Sequence, residues 1–283
     1  MKAVQNLELE LEKLLSDLNH YLIIAPPRSA STSLARVLFN NSKIKSYDHE
    51  PCDYYCHDNA GIESIINELK KHAPDLIKEM TFQMGTGKVS KIFLEKARKP
   101  IIFQIRHPHL TIESRIRMVL NVMLDDSEVQ ESIKDRIKNA VSKQVYDSLD
   151  DILTEKVFPL EYIGWEALEN QIMYCNENDI SYIVTDAYDF RNHPKEHVTE
   201  LCKRLGLEFE DQMINWEKAP KFIIANLPEQ AIWYKRILEG KGIEPPLEVK
   251  ITLGQFPNRF RDSTIRAVKI YENTKKDSNN ICK

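Results

Sequence analysis

The residues best suited to chemistry form one run, Pro26-Pro27-Arg28-Ser29-Ala30-Ser31-Thr32-Ser33-Leu34, between the apolar stretch Tyr21-Leu22-Ile23-Ile24-Ala25 and an amphipathic segment. The pattern reads as strand, loop and helix. A helix that starts there presents unpaired backbone N–H groups and the positive end of its dipole, joined by Arg28 and the hydroxyls of Ser29, Ser31, Thr32 and Ser33. A phosphorylated ligand suits such a junction. It is not the nucleotide-triphosphatase loop G-x-x-x-x-G-K-[ST], whose glycines and lysine are missing. The hydroxyls of Ser31, Thr32 and Ser33 also suit helix capping, and different hydroxyls can serve each purpose. A second anion-binding candidate follows the apolar run 101–105, where Arg106-His107-Pro108 leads into a helix carrying Ser114 and Arg115. Loops at the carboxyl ends of parallel strands line one crevice, so Arg28 and Arg106 can face one ligand with two separated phosphates.

The elements that must position these residues alternate. Leu7, Leu11, Leu14, Leu15 and Leu18 predict a covering helix over residues 1–18, and 21–25 predicts the first strand. Leu34, Val37 and Leu38 continue into a helix ending near Asn40-Asn41. A short strand is expected over 44–47, a helix over 62–69, a strand within 75–80 and a helix over 89–97. The run 101–105 is apolar but for Gln104, as in a parallel strand buried on both faces. Residues 111–177 read as a charged helical section, 180–185 as a core strand, and 194–205 as a helix stopped by Gly206. Repeated strand-then-helix units imply an α/β fold, a central parallel sheet flanked by helices in three layers with helical additions. We expect one domain over 1–283, with an N-terminal helix in 1–20, the helical section 111–177 and a fraying tail over 275–283.

Composition narrows the partners. At 283 residues the chain suffices for one sizeable α/β domain, and its net charge of -4 opposes bulk attraction to nucleic acid or anionic membrane. No stretch approaches the roughly 20 apolar residues of a membrane span, and residues 1–18 are an acidic amphipathic pattern, not a signal peptide. These features predict a cytoplasmic protein without a membrane partner. Five cysteines without a regular framework fit reduced thiols.

On these residues the chain resembles the sulfotransferases that use 3′-phosphoadenosine 5′-phosphosulfate (PAPS). The motifs P-R-S-x-S-T-x-L and R-x-P-x-x-x-x-x-S resemble that family's 5′- and 3′-phosphate elements, carried here by residues 28–34 and by Arg106, Pro108 and Ser114. A third stretch, from Asp186-Ala187-Tyr188-Asp189-Phe190 through Pro194, Leu201-Cys202, Leu205-Gly206-Leu207 and Trp216, extends the resemblance over about residues 21–216. It implies a P-loop-like fold, PAPS as co-substrate with no metal required, and a small-molecule acceptor sulfated on a hydroxyl or amine. PAPS would then be held by Arg28, Ser29, Ala30, Ser31, Thr32, Ser33, Arg106 and Ser114. Arg28 would stabilise the leaving phosphate, a place held by lysine in many steroid and phenol sulfotransferases and by arginine in the tyrosylprotein type. Ala30 stands where the family usually has glycine, so an ordinary helical or turn conformation is expected there. The family's glycine-rich R-K-G segment has no counterpart in Gly240-Lys241-Gly242 or Asn258-Arg259-Phe260-Arg261.

The acceptor needs a base, and the loop Asp48-His49-Glu50-Pro51 falls near the same crevice edge. Glu50 is the leading candidate by its likeness to the glutamate base of tyrosylprotein-type members, and desolvation by Pro51, Tyr54 and Tyr55 would raise its basicity. His49 is the runner-up. Lys78 resembles a lysine that contacts the sulfuryl group, with Glu79 a lesser candidate. A metal reading of His49, Cys52, Cys56 and His57 is set aside, because a matching second ligand pair is missing. Tyr54, Tyr55, Phe82, Met84, Trp165 and Trp233 fit either an acceptor pocket or plain core. Two rival functions are a nucleotide-dependent kinase on a related P-loop fold and a catalytically inactive binding or scaffold protein.

Overall fold

The computed structural model describes residues 2–57, 61–219, 222, 224 and 231–281. Five parallel strands, β1 (Tyr21–Ala25), β2 (Tyr47–His49), β3 (Leu76–Met80), β4 (Ile101–Ile105) and β5 (Tyr182–Asp186), form one sheet in the order β2-β3-β1-β4-β5. Every residue of β1, β3, β4 and β5 is buried, as expected for a sheet covered on both faces. Leu22, Ile24, Ile77, Phe103 and Val184 join one apolar cluster, whereas Ile23, Leu76, Ile102 and Ile183 join the other. That alternation along each strand is the three-layer architecture written residue by residue.

On the first face lie α1 (Lys2–Asp17), with Leu11 and Leu15 buried, then after the short α3 (Asp53–His57) the helix α4 (Gly61–His72). Behind the one-turn α5 (Thr81–Met84) come α6 (Lys88–Lys96), α7 (Pro108–Asp125), α8 (Glu131–Lys143) and α9 (Trp165–Glu177). On the second face lie α2 (Ser31–Phe39), α10 (Ala187–Asn192), α11 (Pro194–Leu205) and α12 (Ala231–Glu239). The last helix, α13 (Asn258–Lys275), returns to the first face against α7 and α9. The connections from β1 and from β4 leave toward opposite edges of the sheet, which makes their carboxyl ends its switch point.

Three expectations are corrected. The second strand is 47–49 and not 44–47, because the Asp75 carboxylate takes the amides of Lys45 (2.7 Å) and Ser46 (3.2 Å). A side chain thus occupies donors that a ladder would need, and pairing starts at Tyr47. The section 111–177 is not continuously helical: between α8 and α9 the chain wraps irregularly, held by Arg259 donating to the carbonyls of Leu153 (2.5 Å) and Phe158 (2.9 Å). The tail does not fray up to Ile281. The Val184 amide donates to the Asn279 carbonyl and the Ile281 amide to the Val184 carbonyl, each at 3.1 Å, so the tail covers the open edge of β5. Cys52, Cys56, Cys175 and Cys202 are free thiols, and no described helix is long and apolar enough to cross a membrane.

Candidate functional site

β1 ends at Ala25, and Pro26-Pro27 aim the chain into the turn that starts α2. Arg28 and Ala30 both take left-handed backbone, with φ of 64° and 63°. The expected ordinary conformation at Ala30 is therefore wrong. The turn that begins α2 demands positive φ here, and alanine tolerates it under tertiary constraint at about 1–2 kcal/mol. We predict that Ala30→Gly raises the melting temperature by ~1–3 °C in a thermal scan, after the extra chain entropy of glycine is deducted. A fall in melting temperature would contradict the strain.

Ala30 is also the N-cap of α2 and provides no side-chain cap, so Ser31, Thr32 and Ser33 lie inside the first turn and none of them is the cap. The first helical bond runs from the Leu34 amide to the Ala30 carbonyl at 3.1 Å, which leaves the amides before it available. The buried Ser29 hydroxyl has no hydrogen-bond partner. An uncapped helix start with an orphaned buried hydroxyl is what an anion would satisfy.

The two sequence motifs meet. Arg28 donates through Nε to Ser114 Oγ at 3.1 Å, and Arg106 donates through Nη1 to the Arg28 carbonyl at 3.0 Å. Burial lowers the pKa of Arg28 and, with Arg191 and Arg28 beside it, pulls Arg106 down to about 10. Arg115 is lowered by burial and then by Arg28. The Nε atoms of Arg115 and Arg191 have no partner. A chain of net charge -4 thus gathers a cluster of mutually repelling guanidiniums at one end of its sheet, an arrangement that a polyanion relieves.

Beside this cradle, β2 and β3 run in register with His49 opposite Lys78, and strand alternation turns both toward α12. Glu50, the residue after β2, is buried with φ of 57°. Its carboxylate pairs with Lys78, lies 3.1 Å from His49 Nε2, and accepts from Gln83 Nε2 (2.9 Å) and Tyr234 Oη (3.4 Å). Desolvation by itself would raise the carboxyl, but Lys78 and His49 outweigh it and hold Glu50 well below the usual range. The expected raised basicity is therefore overturned: polar partners, not the apolar surroundings of Tyr54 and Tyr55, surround the group. Tyr47 Oη meets His49 Nδ1 while Nε2 faces Glu50, so the neutral ring is oriented by Tyr47 and supports Glu50. Glu79 points to the opposite face of β3 and accepts from the Cys52 amide at 2.6 Å, away from the cradle.

Gly164, with φ of 78°, packs where a Cβ would stand 2.5 Å from Thr81 Oγ1 and 3.0 Å from Pro27 Cδ, and its carbonyl accepts from Thr81 at 2.7 Å. This close approach joins the β1 and β3 loops to the start of α9, where a cavity of about 450 Å³ is lined by Phe82, Tyr162 and Trp165. Phe82 and Trp165 therefore line a cavity, although Trp165 is also core. A smaller cavity of about 210 Å³ lies against Arg106, Tyr188, Arg191 and Tyr271. The side chains of His57 and Trp233 lie outside those described. Sequence reasoning missed Arg191, Gln83, Tyr234 and Gly164. Only Arg191 carried a local signal, as it follows the segment 186–190.

Two arginine-bearing loops meet at the switch point of this α/β sheet. The solved sulfotransferase domain of the Synechococcus PCC 7002 olefin synthase aligns over 89% of this chain and 94% of its own, at TM-score 0.50 and 18% identity. The protein has the fold of sulfotransferase domains. Two further structures align more loosely: mouse sulfotransferase SULT7A1 complexed with PAP (TM-score 0.48, 14% identity, 95% of this chain and 91% of that one) and the sulfotransferase domain from the curacin biosynthetic pathway (0.46, 14%, 90% and 98%). No family model matches the chain, and no curated protein matches it significantly.

Proposed function

We propose that the protein transfers a sulfuryl group from PAPS to a hydroxyl or amine of a small molecule. The observation that carries this reading is the direct joining of the two anion loops through Arg28, Ser114 and Arg106. One ligand with phosphates at both ends of that link satisfies the uncapped start of α2 and the cations around Arg106 together. The residues present fit PAPS: Ser29 to Ser33 and Arg28 would hold its 5′ end, and Arg106, Ser114 and Arg191 its 3′-phosphate.

In the reaction the acceptor oxygen or nitrogen forms a bond to sulfur as the bond from sulfur to the 5′-phosphate oxygen breaks. The electron pair leaves with that phosphate, and Arg28 stabilises the charge developing on it. The acceptor proton passes to Glu50. While Lys78 is paired with Glu50 the carboxylate is a weak base. Lys78 turning to the sulfuryl oxygens of bound donor would let desolvation prevail and strengthen Glu50 at the moment it is needed. The acceptor would enter through the cavity beside Phe82 and Tyr162, whose volume suits a small molecule.

Adenosine 3′,5′-bisphosphate (PAP) at ~100 times its dissociation constant should raise the melting temperature by about 5 °C. ATP with Mg²⁺ at the same concentration should raise it less. An equal or larger shift with ATP and Mg²⁺ would favour the kinase reading and overturn this one.

A further inference from the structure

The face of β2 turned away from the cradle carries a group of side chains that sulfuryl transfer does not use. We propose that Asp48, Glu68 and His72 form a binding site for a divalent metal ion, best suited to Zn²⁺, that ties α4 to the edge strand.

Alternation along β2 sends Tyr47 and His49 to the α12 face and Asp48 to the α4 face. Glu68 and His72 stand four residues apart on α4, on one side of the helix, and meet Asp48 from above. One donor atom from each of the three lies within 4.8 Å of the others. A tetrahedral zinc ion, with ligands at about 2.0–2.2 Å, spaces its donors by about 3.3–3.6 Å, so the side chains need to close by no more than ~1.5 Å.

Burial and charge supply the independent argument. Asp48 is 1% exposed, yet neither of its carboxylate oxygens has a hydrogen-bond partner. Glu68 Oε2 and His72 Nε2 face each other at 3.4 Å as an i,i+4 ion pair, and neither makes a hydrogen bond. Lys71 lies 4.0 Å from the other Glu68 oxygen, on the outer side. Leaving a buried carboxylate unsatisfied is costly. Metal binding takes carboxylates ionised and imidazole neutral, so as ligands the three would carry -2, which one divalent ion cancels. Mixed imidazole and carboxylate donors favour zinc over magnesium or calcium. Glu68 and His72 are about one-fifth exposed at 19% and 20%, which gives the ion a path from solvent. Three protein ligands leave a position for water. The site would fix the strand that leads into His49 and Glu50, and the inference stands whatever the protein's reaction.

The test uses the full chain stripped of metal on a chelating resin. Titration with Zn²⁺, and with Co²⁺ as an optical probe, should show one equivalent bound at micromolar metal, with a melting temperature that rises in Zn²⁺ and falls back in EDTA. Asp48→Asn and His72→Gln should each weaken Co²⁺ binding at least ~10-fold, since even residues that only orient ligands cost that much. His72→Gln lies on a partly exposed helical surface and keeps the test available if Asp48→Asn does not fold. The proposal is overturned if micromolar Zn²⁺ leaves the melting temperature unchanged, or if bound metal survives both substitutions.

Discussion

Arg28→Ala is expected to lower sulfuryl transfer from PAPS by about 10²–10³-fold, the usual loss when one donor to a developing oxyanion is removed. The effect should fall mainly on turnover, because in the proposed reaction Arg28 would meet the charge that grows on the leaving phosphate, while the helix start and Arg106 would still hold the nucleotide. Arg28→Lys keeps the charge but gives up the planar fork that bonds Ser114, and should fall between the two. Radiolabelled PAPS with a panel of hydroxyl and amine acceptors provides the measurement. A turnover unchanged in Arg28→Ala would remove the arginine from the chemistry. In the same assay Glu50→Gln should cost about 10²–10⁴-fold in acceptor sulfation, as expected for a lost general base. Its acceptor-independent hydrolysis of PAPS should be spared.

The second large effect concerns stability. Lys78 is fully buried, and Lys78→Met leaves the Glu50 carboxylate buried without its cation. Breaking a buried pair from one side costs about 3–5 kcal/mol. In the native protein Glu50 is held below its unfolded value, so its contribution is present above an unfolded pKa near 4.5 and is lost as pH falls through the lower folded value. Without Lys78 desolvation dominates and the carboxyl rises, so the variant loses stability as pH climbs above about 4.5. The difference between the two proteins should therefore be largest near neutral pH and shrink in acid. Adding Glu50→Gln to Lys78→Met should recover much of the loss, because no buried charge then remains. Chemical denaturation at several pH values measures all three proteins, and a difference independent of pH would contradict the pairing.

What could be read from the sequence, and what could not, follows from the range of the interactions. The strands 21–25 and 101–105 were legible because both faces are buried and every position but Gln104 is hydrophobic. Arg28 and Arg106 were legible because each lies within three residues of the end of such a strand, and parallel packing alone brings those ends together. Ala30 misled because its backbone is set by the turn and not by its side chain. Glu50 was read in the loop after the second strand and lies one residue past β2, but its lowered pKa depends on Lys78 from β3, on His49 from β2 and on their shared face, which spacing does not reveal. Tyr234 reaches Glu50 from 184 residues away and Gly164 reaches Thr81 from 83, with no local pattern to mark them. The tail read as polar and loose because its pairing with β5 uses backbone groups, to which composition is blind.

The central claim is that two loops hold the two ends of one bisphosphate nucleotide. Calorimetric titration of PAP and of AMP into wild type and Arg106→Ala tests it most directly. Wild type should bind PAP at least ~10-fold more tightly than AMP, the worth of one charge-assisted contact of about 1.5–3 kcal/mol. Arg106→Ala should bring PAP close to AMP while leaving AMP itself little changed. Equal affinities in wild type, or a preference for PAP that survives Arg106→Ala, would contradict the account.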